Sequence, residues 1–468
     1  MRITAYLLNY SFKIVRKSVI LLIGCAIIFS ILNYMSSKDQ RSPDVVDVSH
    51  LLNKKVWNWQ RRNASDSIIA NINVSCESVF VGNDSFIDLN VTHLETLISN
   101  SSDRCALYRK SFGFDKSEPS QVEKDFPLAF AILAHNRFVQ LLLMLSSFYE
   151  KHNVYCIALP SNTDSEFARG TLSLAECFEN IHVMRVGRVE WGSFEILKST
   201  YDCMKYLIDS QPVQWRYLQV LSGVDVPLRT NLEMVQVLKQ WNGISHTHVN
   251  RYQMDRVANN IFQIWKYFKF SYSLGNLSLS IFKSSLSAII ARDAAKMMIN
   301  HSKSRDLLSL LKDTIIADEA FWTTVLGNPE VIPMYGAFDA EKFLNLIDEH
   351  EYLRPSTNCS QLPCHTLGFV ARHQIWKRTA CKGDWVNWSC VFGVRDLASL
   401  IASPAFIAHK FYIEYEPAAL ICMLKEINGR RAYPDTQFDA TKYNYLPQIE
   451  FSRFHSTNLT RPDLLFSA

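Results

Sequence analysis

One carboxylate in the 468-residue sequence stands where its neighbours could give it chemistry. In Ala317-Asp318-Glu319-Ala320-Phe321-Trp322 the spacing predicts a helix capped by Asp318, which puts Glu319 in the first turn. There the helix dipole favours the ionised side chain, so Glu319 would be a base at neutral pH rather than an acid. The plainer alternative is that both carboxylates only complement the macrodipole, and spacing alone favours it. The sequence has no Walker loop, no GxGxxG, no GxSxG, and no Asp-X-Asp after any predicted strand. A diphosphate handled by this chain would be met by Arg, Lys or helix N-termini instead of a divalent cation. Arg378, Lys382, Arg395 and Lys410 are the candidates in the C-terminal third, though any one of them taken singly reads first as a solvated surface charge.

These residues need a scaffold. Residues 130–135 (FAILAH), 154–160 (VYCIALP), 181–186 (IHVMRV) and 217–223 (YLQVLSG) are short apolar, β-branched runs that read as buried strands. Helix-length stretches separate them; in the third, Phe194, Leu197, Tyr201, Met204 and Ile208 recur at spacings of three and four. The alternation predicts an α/β fold with a doubly wound, mostly parallel sheet. Such sheets bind ligands at the carboxyl ends of their strands, which points to His135, Pro160 and Ser222-Gly223-Val224-Asp225. Further on, residues 283–292 read as a strand and 293–301 as a helix.

Composition bounds the class. Apolar residues make up 48% and charged residues 20%, which excludes a disordered chain, and a net charge of +4 is too diffuse for a nucleic-acid binder. Residues 18–35 (SVILLIGCAIIFSILNYM) carry no formal charge and follow Arg2, Lys13, Arg16 and Lys17. They read as an uncleaved signal-anchor, with residues 1–17 cytosolic and everything beyond lumenal. Residues 36–125 read as a lumenal stem and N-terminal extension, and 126–468 as the catalytic domain. Sequons at Asn63, Asn73, Asn83, Asn90 and Asn100 suit an exposed glycosylated stem. Of 11 cysteines, Cys25 falls in the anchor; the remaining even number in an oxidising lumen implies disulfides, and no spacing suggests zinc.

Residues 126–135 (FPLAFAILAH), 155–157 (YCI), 215–218 (WRYL), 222–233 (SGVDVPLRTNLE), 318–324 (DEAFWTT), 390–397 (CVFGVRDL) and 408–411 (AHKF) together resemble the core 2 and I-branching β-1,6-N-acetylglucosaminyltransferase family, which includes peptide O-xylosyltransferases. The resemblance covers roughly residues 76–422. It implies a Golgi type II membrane enzyme with a GT-A-like (Rossmann-like) fold that inverts the anomeric centre of a UDP-sugar without a divalent metal. It makes Glu319 the catalytic base and Lys410 the diphosphate cation. Leu133, Ala134 and His135 become a nucleotide-contacting turn, with Trp191 in the place of a nucleotide-contacting Tyr. It pairs Cys76 with Cys422, Cys105 with Cys177, Cys156 with Cys203 and Cys381 with Cys390; Cys359 and Cys364 then form a local bridge.

Three positions depart from the family pattern. Asn387 replaces a diphosphate-binding Arg, Pro160 replaces a uridine-contacting Asp, and the family's acceptor-contacting Glu after the fourth strand has no clear match, the local residues being Ser245, His246 and Thr247. Arg395 replaces a Gly and is either the missing donor-site cation or an exposed residue. The implied reaction is transfer of N-acetylglucosamine from its UDP-sugar to the core 1 disaccharide of mucin-type O-glycans on glycoproteins. The alternatives are UDP-glucose or UDP-xylose as donor, or a catalytically weak lumenal relative acting as a lectin-like or chaperone-like binder.

Overall fold

The computed structural model describes residues 67–80, 89–115, 118–253, 256, 272–273, 278–349, 368–376, 378–455 and 459–460. The segment 18–35, Asn63, Asn83, Cys359 and Cys364 lie outside the described residues. Among the described residues no helix is long and apolar enough to cross a membrane.

The apolar runs form the strands of one sheet; three of them are buried on both faces, the condition under which a continuous Val/Ile/Leu run is stable as a parallel strand, while the edge run 181–186 is only partly covered. β1 (Leu128–Leu133) leads through α1 (Phe138–Phe148) to β2 (Val154–Pro160), and through α2 (Ser165–Cys177) to β3 (Ile181–Val186). The next helix, α3 (Phe194–Asp209), precedes β4 (Tyr217–Ser222), and β5 is Ile289–Ala291. The order is β5-β4-β1-β2-β3, with β4, β1, β2 and β3 parallel and β5 antiparallel. Leu197, Tyr201, Met204 and Leu207 form the buried stripe of α3, close to the periodicity in the sequence.

The chain steps outward from β1 to β3 and then returns past β1 to lay down β4. The connections leaving β1 and β4 therefore diverge, and a crevice opens at their carboxyl ends. Gly223 makes the crevice floor tight: its N–H donates to the Leu133 carbonyl at 2.9 Å, and a Cβ on it would lie 2.7 Å from the Ala134 Cβ. A small three-stranded sheet of His373–Gln374, Ile407–His409 and Val226–Pro227 brings the C-terminal segment to the same edge.

Among the described residues, disulfides join Cys76–Cys422, Cys105–Cys177, Cys156–Cys203 and Cys381–Cys390. The first closes 346 residues and ties the helix Cys76–Phe80 to the C-terminal helix Pro417–Ala432. Loop closure of this size restricts the unfolded chain most. Val79, Phe80, Tyr108, Phe112 and Phe114 are buried in the shared core, so the described part of 67–115 packs as body. Asn73, Asn90 and Asn100 are exposed, and the Asn90 side chain caps the helix Val91–Asn100.

Two local expectations need correction. Residues 283–292 do not run as one strand: Phe282–Lys283 pairs with Asn250–Arg251, and Ile289–Ala291 pairs with β4. The turn between them lets one segment serve two sheets. Nor does a helix begin at Asp318. Ala317–Glu319 is a 3₁₀ turn entered through left-handed Ile316, and the α-helix starts at Phe321. The Glu319 carbonyl accepts from the Ser284 N–H at 2.6 Å, which takes it out of the helical ladder.

Candidate active site

Glu319 ends its 3₁₀ turn with its side chain only 13% exposed, and both neighbouring cations bind one oxygen. Arg256 Nη1 lies 2.5 Å and Lys283 Nζ 3.3 Å from Oε2. Among the described residues no hydrogen bond or ion pair is made by Oε1. Arg256 is fixed by its backbone, whose carbonyl accepts from the Ile315 N–H at 3.2 Å. Asp318 is buried beside this pair rather than capping anything. Burial, then the Glu319 charge, pushes its carboxyl up to about 7.

Trp191 is exposed on the turn after β3. That turn is tied to the base: the Gly192 carbonyl accepts from the Ile316 N–H at 2.8 Å, three residues before Glu319. Leu133 and Ala134 leave β1 against Gly223, and His135 follows at the surface. The protein around the His135 ring, and then the Arg137 charge, lower its pKa.

Lys410 lies at the same edge. Its backbone N–H donates to the Cys390 carbonyl and its carbonyl accepts from Phe392, so the hairpin stapled by Cys381–Cys390 holds it. Its Nζ donates to the Val386 carbonyl at 2.8 Å. Burial, then Arg137, brings its ammonium pKa down to about 8. Asn387 and Trp388, both at positive φ, form the two-residue turn of that hairpin, a geometry Asn accepts more readily than Arg. Asn387 is therefore next in chain to the carbonyl that holds Lys410. Arg378 and Lys382 are exposed; Arg395 is also exposed, on the turn Val394–Asp396, where its charge acts on Tyr415.

A buried polar cluster centred on Asp225 adjoins Lys410 through His409. Asp225, 1% exposed, pairs with Arg372 at 3.1 Å and with His409 Nδ1 at 2.7 Å, and accepts from the Ser222 N–H and hydroxyl. Burial opposes its charge, but Arg372, His409 and Ser222 outweigh that and keep its pKa low. Burial and Arg372 bring the His409 pKa to about 4, so at neutral pH its ring is uncharged and Nδ1–H donates to Asp225. Arg372 also acts on Asp318. Arg372 thus pairs directly with Asp225, at 3.1 Å, and reaches Asp318 only through its charge.

A family model described as Core-2/I-Branching enzyme matches residues 128–341, a span that begins at β1 and contains the crevice and Glu319. Over this span the chain is similar to the Core-2/I-branching enzymes. It is 25% identical over 347 residues to a beta-1,3-galactosyl-O-glycosyl-glycoprotein beta-1,6-N-acetylglucosaminyltransferase of Homo sapiens, covering 69% of this chain and 75% of that one. It is 24% identical over 402 residues to an N-acetyllactosaminide beta-1,6-N-acetylglucosaminyl-transferase of Mus musculus, covering 80% and 88%. Taken together, these matches make the protein a glycosyltransferase. A mouse xyloside xylosyltransferase structure aligns with 42% of this chain and 81% of its own, at 10% identity and a TM-score of 0.24.

Sequence reasoning on this glycosyltransferase missed Arg137, Arg256, Lys283 and Arg372. Each is a lone cation far in sequence from its partner, and only the fold brings them together. The same electrostatics predict acid lability. His246, His248 and His409 are pushed down to about 3, 4 and 4, in each case first by burial. Unfolded histidines take protons near pH 6.5, whereas these stay neutral until the pH is far lower. Between pH 6.5 and 4 the unfolded state therefore binds more protons, and stability falls as pH falls. Asp318 acts in the opposite sense between about 4 and 7 but is one group against three. Urea midpoints measured from pH 7 to 4.5 should drop by an amount equivalent to about 3–6 kcal/mol. A flat profile would show that these rings are not buried neutral.

Proposed function

We propose that this glycosyltransferase moves a sugar, N-acetylglucosamine in the first instance, in β-1,6 linkage from a UDP-sugar to the core 1 disaccharide of mucin-type O-glycans. The observation that carries the proposal is Glu319, a largely buried carboxylate held on a fixed turn by Arg256 and Lys283, in a fold that brings Lys410 to the crevice edge beside β4. The acceptor C6 hydroxyl gives its proton to Glu319 as its oxygen bonds to the anomeric carbon. The bond from that carbon to the β-phosphate oxygen breaks with inversion, and the electron pair leaves on the diphosphate, which Lys410 meets. General-base catalysis contributes about 10²–10⁴-fold, and stabilising the leaving charge contributes more. Leu133, Ala134, His135 and Trp191 would hold the nucleotide in this GT-A-like arrangement, in a Golgi type II enzyme with its catalytic domain in the lumen.

No Asp-X-Asp follows the strands, and the diphosphate end of the site is supplied with cations. Transfer should therefore survive excess EDTA. Activity lost on chelation and restored by added Mn²⁺ would overturn the metal-free reading. A donor-by-acceptor screen of the purified chain tests the proposal as a whole. Turnover with UDP-N-acetylglucosamine on a core 1 acceptor supports it, whereas turnover only with UDP-glucose or UDP-xylose changes the donor. The second reading, a weakly active binder, is favoured by Asn387 in the place of a cation. Glycan binding without turnover of any donor would select it.

A further inference from the structure

The mechanism leaves one cation at the crevice without a task. Arg137 follows the β1 turn and sits at φ +60° in the left-handed region, a strained position for a side chain of its size. Its guanidinium lies 3.9 Å from the centroid of the Tyr412 ring, and Lys410 Nζ lies 5.3 Å from the same centroid. Gln140, buried on α1, fastens this arrangement: its amide donates to the Phe411 carbonyl at 2.8 Å and its oxygen accepts from the Ile413 N–H at 2.9 Å. Tyr412 is therefore held between those two bonds, beside both cations.

Bringing two cations together costs free energy, and Arg137 is the charge that acts on Lys410. One carboxylate answers them. Glu414 meets Arg137 Nε at 2.8 Å, but its side chain is 55% exposed, so solvent weakens the pair. Arg137, Lys410 and Glu414 sum to +1. Arg137 Nη1 donates to Asn136, and Nη2 makes no hydrogen bond among the described residues. One edge of the planar fork is thus unused, at a strained position beside a second cation and at the strand ends where the sheet binds ligands.

We propose that Arg137 is the second cation on the donor diphosphate, acting beside Lys410 where Asn387 supplies no charge. The inference rests on the donor reading given above. Arg137 is carried by β1 rather than by the C-terminal hairpin, so the leaving group is held from two sides of the crevice. A guanidinium there can bind two phosphate oxygens through one edge, whereas lysine offers a point charge.

Calorimetry with UDP and with uridine tests this. Arg137→Ala should weaken UDP binding about tenfold or more and leave uridine affinity unchanged, because only the diphosphate contact is lost. Arg137→Lys should recover part of the loss. Glu414→Ala, which removes the ion-pair partner but keeps the cation, should leave UDP affinity equal or tighter. If Arg137→Ala leaves UDP affinity unchanged while Lys410→Ala weakens it, the inference fails and the donor reading stands. If Glu414→Ala weakens UDP as much as Arg137→Ala does, Arg137 serves the ion pair and the inference fails. If neither Arg137→Ala nor Lys410→Ala alters UDP binding, the donor site itself is misplaced and both fail.

Discussion

Glu319→Gln should abolish sugar transfer while leaving donor affinity where it was. The substitution keeps the volume and shape of the side chain and removes its capacity to take a proton at neutral pH. If Glu319 is the base, kcat falls by about 10²–10⁴ and the UDP dissociation constant changes little, because the carboxylate acts on the acceptor hydroxyl and not on the nucleotide. The variant folds: Arg256 and Lys283 lose a charged partner, but their side chains are 18% and 25% exposed and water can solvate them. Single-turnover transfer alongside UDP calorimetry separates the two quantities. A Glu319→Gln enzyme that transfers at the parent rate would remove the central assignment, and one that loses UDP binding would place Glu319 on the donor.

The sheet was legible because β1, β2 and β4 are buried on both faces, so their apolar runs stand out against polar connections. Glu319 and Lys410 were singled out only by their places in a long pattern of short motifs. What the sequence hid was tertiary. A helix at Asp318 is a sound local inference, and it fails because Ser284 takes the Glu319 carbonyl from across the fold. That bond also explains why the strand expected over 283–292 breaks. Arg137 shows the same limit: nothing in His135-Asn136-Arg137-Phe138 marks that arginine, and its meaning comes from Tyr412, 275 residues later.

The second large effect is expected at Asp225, where stability and function share one carboxylate. Asp225→Asn leaves Arg372, buried at 5% side-chain exposure, without its ion partner, and weakens the acceptor for His409 Nδ1–H and for the Ser222 hydroxyl. Removing one member of a buried pair costs about 3–5 kcal/mol, most of it the penalty of the charge left behind. Urea or thermal unfolding of the variant should show a loss of that size. If the stranded Arg372 charge is the cause, Asp225→Asn combined with Arg372→Met should recover much of the stability, and a double-mutant cycle gives the coupling. Transfer should not recover with it. His409 loses its anchor in both variants, and the backbone that carries Lys410 loses its register against Val224, whose carbonyl accepts from the Phe411 N–H at 3.1 Å. UDP affinity should therefore stay below that of the parent even where the double variant is fully folded. If stability and UDP affinity return together, the Asp225 chain only supports the fold. If neither changes in Asp225→Asn, the carboxylate is not the hub that its four contacts make it.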